Sequence, residues 1–275
     1  MRPQRLTFGR MYANAGYTAK YRREIRRIIK AMHEDTRREI RILYNDTTYD
    51  APITLTQIMA KLREKWYKIF TKRAKEMNRW LVETVKKRTR KDIMKQLKDI
   101  GMVLTPHWSD SEKAVIDNIV TTGVDLIVTI PKAYFREVQE TVRDAVERGG
   151  DRAAIKEAII DKFDHPAVNR KPGESAEDAL ARAERRAELI AKDQVQKATQ
   201  EFAMENAKAY GATKAEWIHI PGEKSSRITH IHMDGEIFEI DKGLYDEDVG
   251  RFVKPGELIY CMCSCSFLFP GTEQQ

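Results

Sequence analysis

Hydrophobic positions in this chain recur at helical spacing over most of its length, and only the last stretch alternates as strands do. From Tyr17 to Tyr44, residues Ile25, Ile28, Ile29, Met32, Ile40 and Leu43 mark one face of a basic helix. Asn45-Asp46-Thr47-Thr48 and Asp50-Ala51-Pro52 predict a break. Thr54-Leu55-Thr56-Gln57 then reads as a capping box opening a second helix. Ile58, Leu62, Trp66, Ile69, Met77, Trp80, Leu81 and Val85 carry its apolar stripe toward Ile100, and Gly101 ends it. Unbroken, it would span roughly 65–70 Å at 1.5 Å per residue; a bend or helical hairpin within it would shorten that. Trp66 and Trp80 sit on the stripe and are expected to pack in a core, not to stack on bases.

Shorter helices are expected next. One starts at Ser109-Asp110-Ser111-Glu112 and ends near Gly123; another opens at Pro131 and ends at Gly149-Gly150. Asp151 caps a further one to about Phe163, and His165-Pro166 through Lys171-Pro172-Gly173 is a loop. Ser175-Ala176-Glu177-Asp178 caps a long helix lined by Leu180, Ala183, Ala187 and Ile190 that runs to about Tyr210 and stops at Gly211. Its alanines predict close helix–helix approach. Beyond Gly211, Ala215–Ile220 and Gly235–Ile240 read as strands, and Arg227–Ile231 as a strand or a short helix. An extended segment is expected from Leu258 through the cysteines to Phe269. The fold class is mainly α, with long N-terminal helices, a helical middle and a small α+β C-terminal unit. The expected divisions are a basic long-helix arm over 1–105, a helical body over 106–211 and the α+β unit over 212–275.

Composition sharpens this picture. Of the 275 residues, 33% are charged and 8% aromatic, which suits a helix-rich protein better than a β-sandwich. The longest strongly apolar stretch, Val124–Ile130, contains Asp125, so no membrane span is expected. The basic start lacks the apolar segment of a secretory signal. The net charge of +7 conceals an asymmetry: residues 1–100 hold 27 Lys+Arg against 11 Asp+Glu, and the remainder holds 22 against 31. The basic half suggests phosphate as a neighbour or simply a solvated helical surface; both readings stand. The densest run, Lys86, Lys87, Arg88, Arg90 and Lys91, gives the candidate DNA-facing residues.

Candidate chemistry is concentrated near the C-terminus. All three cysteines fall in Cys261-Met262-Cys263-Ser264-Cys265, after Arg227-x-x-His230-x-His232-Met233-Asp234-Gly235 and a Pro255-Gly256-Glu257 turn. Clustered cysteines in odd number argue against a disulfide scaffold and for synthesis in a reducing cytoplasm. In a strand the three thiols would share one face, as would His230 and His232. One reading is a structural zinc site of His230, Cys261 and Cys263, with Cys265 or His232 as fourth ligand. The other is a set of reduced cysteines packed on a polar His–Asp network, with His230 ordering the turn at Asp234-Gly235. An acid/base pair of histidines with Arg227 and Asp234 would make a nuclease-like enzyme, and the basic half alone a sequence-independent DNA-binding protein. An Arg227–Asp234 ion pair and a positive φ at Gly235 are also expected.

Taken in order, these elements resemble the phage Mu F-like head morphogenesis family, minor capsid proteins of tailed phages. The resemblance runs from about residue 130 to 270. It rests on Ile190-Ala191-Lys192-Asp193, then Arg227-x-x-His230-x-x-x-Asp234-Gly235, Pro255-Gly256-Glu257 and Cys261-x-Cys263. Met262 stands where the family carries arginine, and Cys265 and His232 have no counterpart in its pattern. The resemblance implies a non-enzymatic virion component on the inner side of the head, in several copies near the portal. Portal protein, major capsid protein and packaged double-stranded DNA would be its partners, with a part in head assembly and in DNA packaging or ejection.

Overall fold

A computed structural model describes residues 10–45, 51–107, 111–147, 179–221 and 226–269. Four long helices, α1 (Ala15–Asn45), α2 (Ala51–Asp99), α3 (Ser111–Glu147) and α4 (Ala179–Ala209), precede a short helix α5 (Ile228–His232). The strands are β1 (Lys214–Ile218), β2 (Ile237–Glu239), β3 (Leu244–Asp246), β4 (Arg251–Val253) and β5 (Ser264–Leu268). The chain forms two compact units. One comprises Met1–Tyr21, Met77–Gly123 and Leu189–Gln275; the other comprises Arg22–Glu76 and Val124–Glu188. Each long helix contributes a segment to each unit.

Among the described residues, the second unit is all helix. Ile25, Ile29, Met32, Thr36, Ile40 and Leu43 of α1 are buried at three- and four-residue steps, the spacing of a single helical face. Trp66 and Phe70 of α2 and Ile127, Ile130, Tyr134 and Phe135 of α3 share this core. Asp35, itself buried, accepts hydrogen bonds from the Trp66 indole (2.8 Å) and Lys65 (2.7 Å), and Arg38 also reaches it. Trp66 is therefore a packing residue, as its place on the stripe implied.

The first unit carries the rest of α2, where Leu81, Val85, Thr89, Ile93 and Leu97 are buried at strict four-residue steps. Each such step advances the stripe by about 40° around the axis, so the buried face winds along this long, unbroken helix. Gly101 (φ +75°) closes it: its N–H bonds Lys98 and that of Met102 bonds Leu97. Gly211 (φ +93°) ends α4 the same way, through Lys208 and Ala207. The Asn14 side chain caps α1 by accepting the Tyr17 N–H (3.1 Å). Strand β1 lies between β2 and β5, antiparallel to both, and β3 pairs with β4 as a separate ribbon. Trp217, Phe238 and Phe267 from these strands, with Phe269 just after β5, pack on Ile93, Leu97, Ala203 and Ala207 from α2 and α4.

Several expectations are corrected. α2 begins at Ala51, so Thr54 lies inside the helix and Pro52 takes its first turn. No hairpin interrupts it. α3 runs through both Gly123 and Pro131 as one helix. At Gly123 a Cβ would lie 2.3 Å from the buried Asn78 amide, so glycine serves close packing there, not termination. Pro131 forfeits a bond to the Ile127 carbonyl, a loss of order 3 kcal/mol, but apolar burial on both sides holds the helix. Ser111–Glu140 is also long and apolar enough, by length and composition, to cross a membrane. Asp125 shortens the uninterrupted run without making the stretch polar on average. The signals at Asp46–Asp50, Ser109–Asp110, Gly149–Gly150 and Asp151 through Asp178 lie outside the described residues.

Candidate functional site

Three donor atoms converge in the first unit: a ring nitrogen of His230 and the sulfurs of Cys261 and Cys263, all within 4.8 Å of one another. All three residues are buried. His230 Nδ1 lies 3.4 Å from Cys261 Sγ and 3.6 Å from Cys263 Sγ. Its Nε2 is 3.1 Å from Asp246 Oδ2 at the end of β3, so a proton on Nε2 leaves the Nδ1 lone pair facing the sulfurs. Asp246 is itself fully buried and accepts the Asp248 N–H through its other oxygen. The histidine-bearing segment and the thiol-bearing segment therefore do fold against each other.

The loop that presents the thiols is not a strand. β5 starts only at Ser264, and Cys261 donates its N–H to Leu258 across a turn in which Tyr260 has φ +60°. Its backbone groups are taken by side chains of α4. Asp193 accepts the Tyr260 N–H, and the Gln196 amide donates to the carbonyls of Met262 (3.1 Å) and Cys263 (2.9 Å). Arg227 donates to the Ile259 carbonyl (3.0 Å). The loop thus satisfies its polar groups locally instead of in a ladder.

The remaining motif residues support the same place. Asp234 Oδ1 accepts the backbone N–H of His219 (2.7 Å), and Gly235, at φ +83°, gives its N–H to Trp217 (2.8 Å). Both bonds fix the end of β1. That end carries His219, whose Nδ1 stands 3.6 Å from Cys263 Sγ. The expected Arg227–Asp234 pair is replaced by these separate bonds, and His230 turns to Asp246, not to Asp234. Cys265, within β5, points its thiol toward Gln200, and His232 is exposed on α5. Two steps along a helix rotate a side chain by about 200°, which separates His232 from His230. The structure thus removes both expected fourth ligands from the cluster.

Electrostatics bind the group together. The Cys261 thiol is held low by hydrogen bonding from Cys263, against burial and with His230 adding. Cys263 is pushed up by its bond to Cys261 and by burial, although the Ile220 N–H and the Trp217 indole favour its ionised form. Burial works against a charged His230, yet bonding and charge from Cys261 outweigh it and raise its pKa. Burial alone pushes Cys265 up. His219, Asp246, Gln196 and Trp217 escaped the sequence reading. Their only signals are a histidine at the end of a strand-like run and polar residues on an otherwise apolar helix face.

The basic run divides. Lys86 and Arg90 both pair with Glu112, and Arg88 pairs with Asp92 and donates to the Tyr12 carbonyl. Lys87 and Lys91 are exposed, one turn apart. Trp80 packs edge-on against Tyr17, with Lys20 above its ring.

Residues 136–266 match the family model described as Phage Mu protein F like protein. Among curated proteins and among solved structures, no match is found. The matched segment contains the α4 element at Asp193, the Arg227–Gly235 motif and the thiol loop, all joined in one cluster. Over residues 136–266, just under half of its length, the chain is similar to the phage Mu F-like family.

Proposed function

We propose that this protein is a minor head protein of a tailed phage, held on the inner side of the head near the portal vertex in several copies. There it contacts portal and major capsid proteins, and its basic helical segments lie against packaged DNA. The family match over 136–266 carries this reading. Two further observations support it. Arg227, His230 and Asp234 are each engaged with internal partners, and His230 is 2% exposed, which suits a structural knob better than an acid/base site. The excess of Lys+Arg in residues 1–100 suits a polyanionic neighbour, with Lys87 and Lys91 presented outward.

Mass spectrometry of purified particles, after cross-linking, tests the location: the chain is expected in mature heads, linked to portal protein. Heads that lack it overturn the reading. The DNA contact is tested on the full chain by measuring duplex binding against salt. Binding should fall steeply, and Lys87→Glu with Lys91→Glu should lower the log–log slope by about 2. An unchanged slope removes these two lysines from the contact.

A further inference from the structure

We infer that His219, His230, Cys261 and Cys263 form a tetrahedral structural zinc site, with Asp246 orienting His230 from behind. The inference concerns integrity of the C-terminal unit and stands independently of the role in the phage head.

Donor spacing comes first. Zinc bonds of about 2.3 Å to sulfur and about 2.0–2.1 Å to nitrogen place the S···N edges of a tetrahedron near 3.5–3.6 Å. Three of the four S···N separations are 3.4, 3.6 and 3.6 Å, namely Cys261 to His230, Cys263 to His230 and Cys263 to His219, while His219 stands outside the set of three residues whose donor atoms all lie within 4.8 Å of one another. Four side chains from three separate segments supply these atoms, which is the closure a small unit with little core of its own requires.

Charge comes second. Two buried sulfurs this close cannot both ionise unaided. The Trp217 indole nitrogen, on a ring packed edge-on against His230, is buried with no hydrogen-bond partner among the described residues. A divalent cation is what lets both sulfurs be anionic together.

The outer layer comes third. A metal-bound histidine usually gives its other N–H to a carboxylate, which fixes its tautomer. His230 does so to Asp246, and Asp246 is the kind of buried acid that only such a partner justifies. Asp234 and Gly235 then acquire a purpose, since they anchor the backbone that carries His219.

The test uses the full chain, purified without chelator, with zinc measured by elemental analysis and cobalt(II) as a spectroscopic substitute. One zinc per chain is expected, together with tetrahedral cobalt bands and thiolate-to-cobalt charge transfer. Asp246→Asn should weaken zinc about 10- to 100-fold, and His219→Ala by more. Cys265→Ser and His232→Ala should bind as the parent does. Wild-type protein without zinc and without cobalt bands overturns the site, whatever the variants do. Parent-like affinity in His219→Ala overturns the fourth ligand, and loss of zinc in Cys265→Ser overturns the ligand set.

Discussion

Single positions show where the packing has no slack. Asn78 accepts the Tyr21 hydroxyl (2.7 Å) and occupies the space a side chain at Gly123 would need. Gly123→Ala should therefore destabilise by about 1–3 kcal/mol through overpacking, read as a lower urea midpoint; parent-like stability would show that Asn78 can move aside freely. Asp35→Ala leaves the Trp66 indole buried without an acceptor and should cost about 1–3 kcal/mol, checked by the same denaturation. Glu201 offers a pH signature. Burial pushes its carboxyl up to about 7, against Lys197 and Asn118, with Glu257 raising it further. A pKa raised in the folded state means a stabilising contribution that is complete below the ordinary value of 4.5 and lost as pH climbs through about 7. Thermal melts of Glu201→Gln should lack this decline and exceed the parent above pH 7. Parallel melting curves would refute the assignment.

At the scale of elements, local punctuation proved weaker than continuous burial. The helices of the front half were legible because their stripes are dense and regular: Ile25 through Leu43 leaves little choice of face. Gly123 and Pro131 were misread as boundaries because breaker rules weigh one residue, whereas the apolar positions on both sides continue in phase. The thiol loop was misread as strand for the opposite reason. Its partners, Asp193 and Gln196, lie on α4, far away in sequence, so no local pattern announces them. The alternation that was visible, cysteine at every second position, belongs to a turn held by distant side chains. Gly235 shows a constraint that was legible. Its φ of +83° is strained for any side chain, although a Cβ there would meet nothing within 4 Å. Gly235→Val should therefore lower the melting temperature at a cost of about 1–3 kcal/mol, while Gly235→Asn should be milder because asparagine visits that region readily. Equal losses in both would point to a steric cause instead.

For the molecule as a whole, charge and chemistry are segregated along the chain. The basic excess lies in residues 1–100, and the His/Cys cluster is confined to the acidic remainder. Three of the five densest basic residues, Lys86, Arg88 and Arg90, are partnered internally, which reduces what the charge run can offer a nucleic acid. The family resemblance was legible because the motif residues keep their order over a long stretch. Their structural roles were not legible, since Asp193 reaches the Tyr260 backbone and Asp234 the His219 backbone only after folding.

The order of these pieces along the polypeptide has a consequence for synthesis. β5 and both clustered thiols leave the ribosome after every surface they cover, so any product arrested before Cys261 bares Trp217 and His230. Such a fragment lacks the β5 edge of the sheet and both sulfurs of the cluster, so it cannot complete its terminal unit.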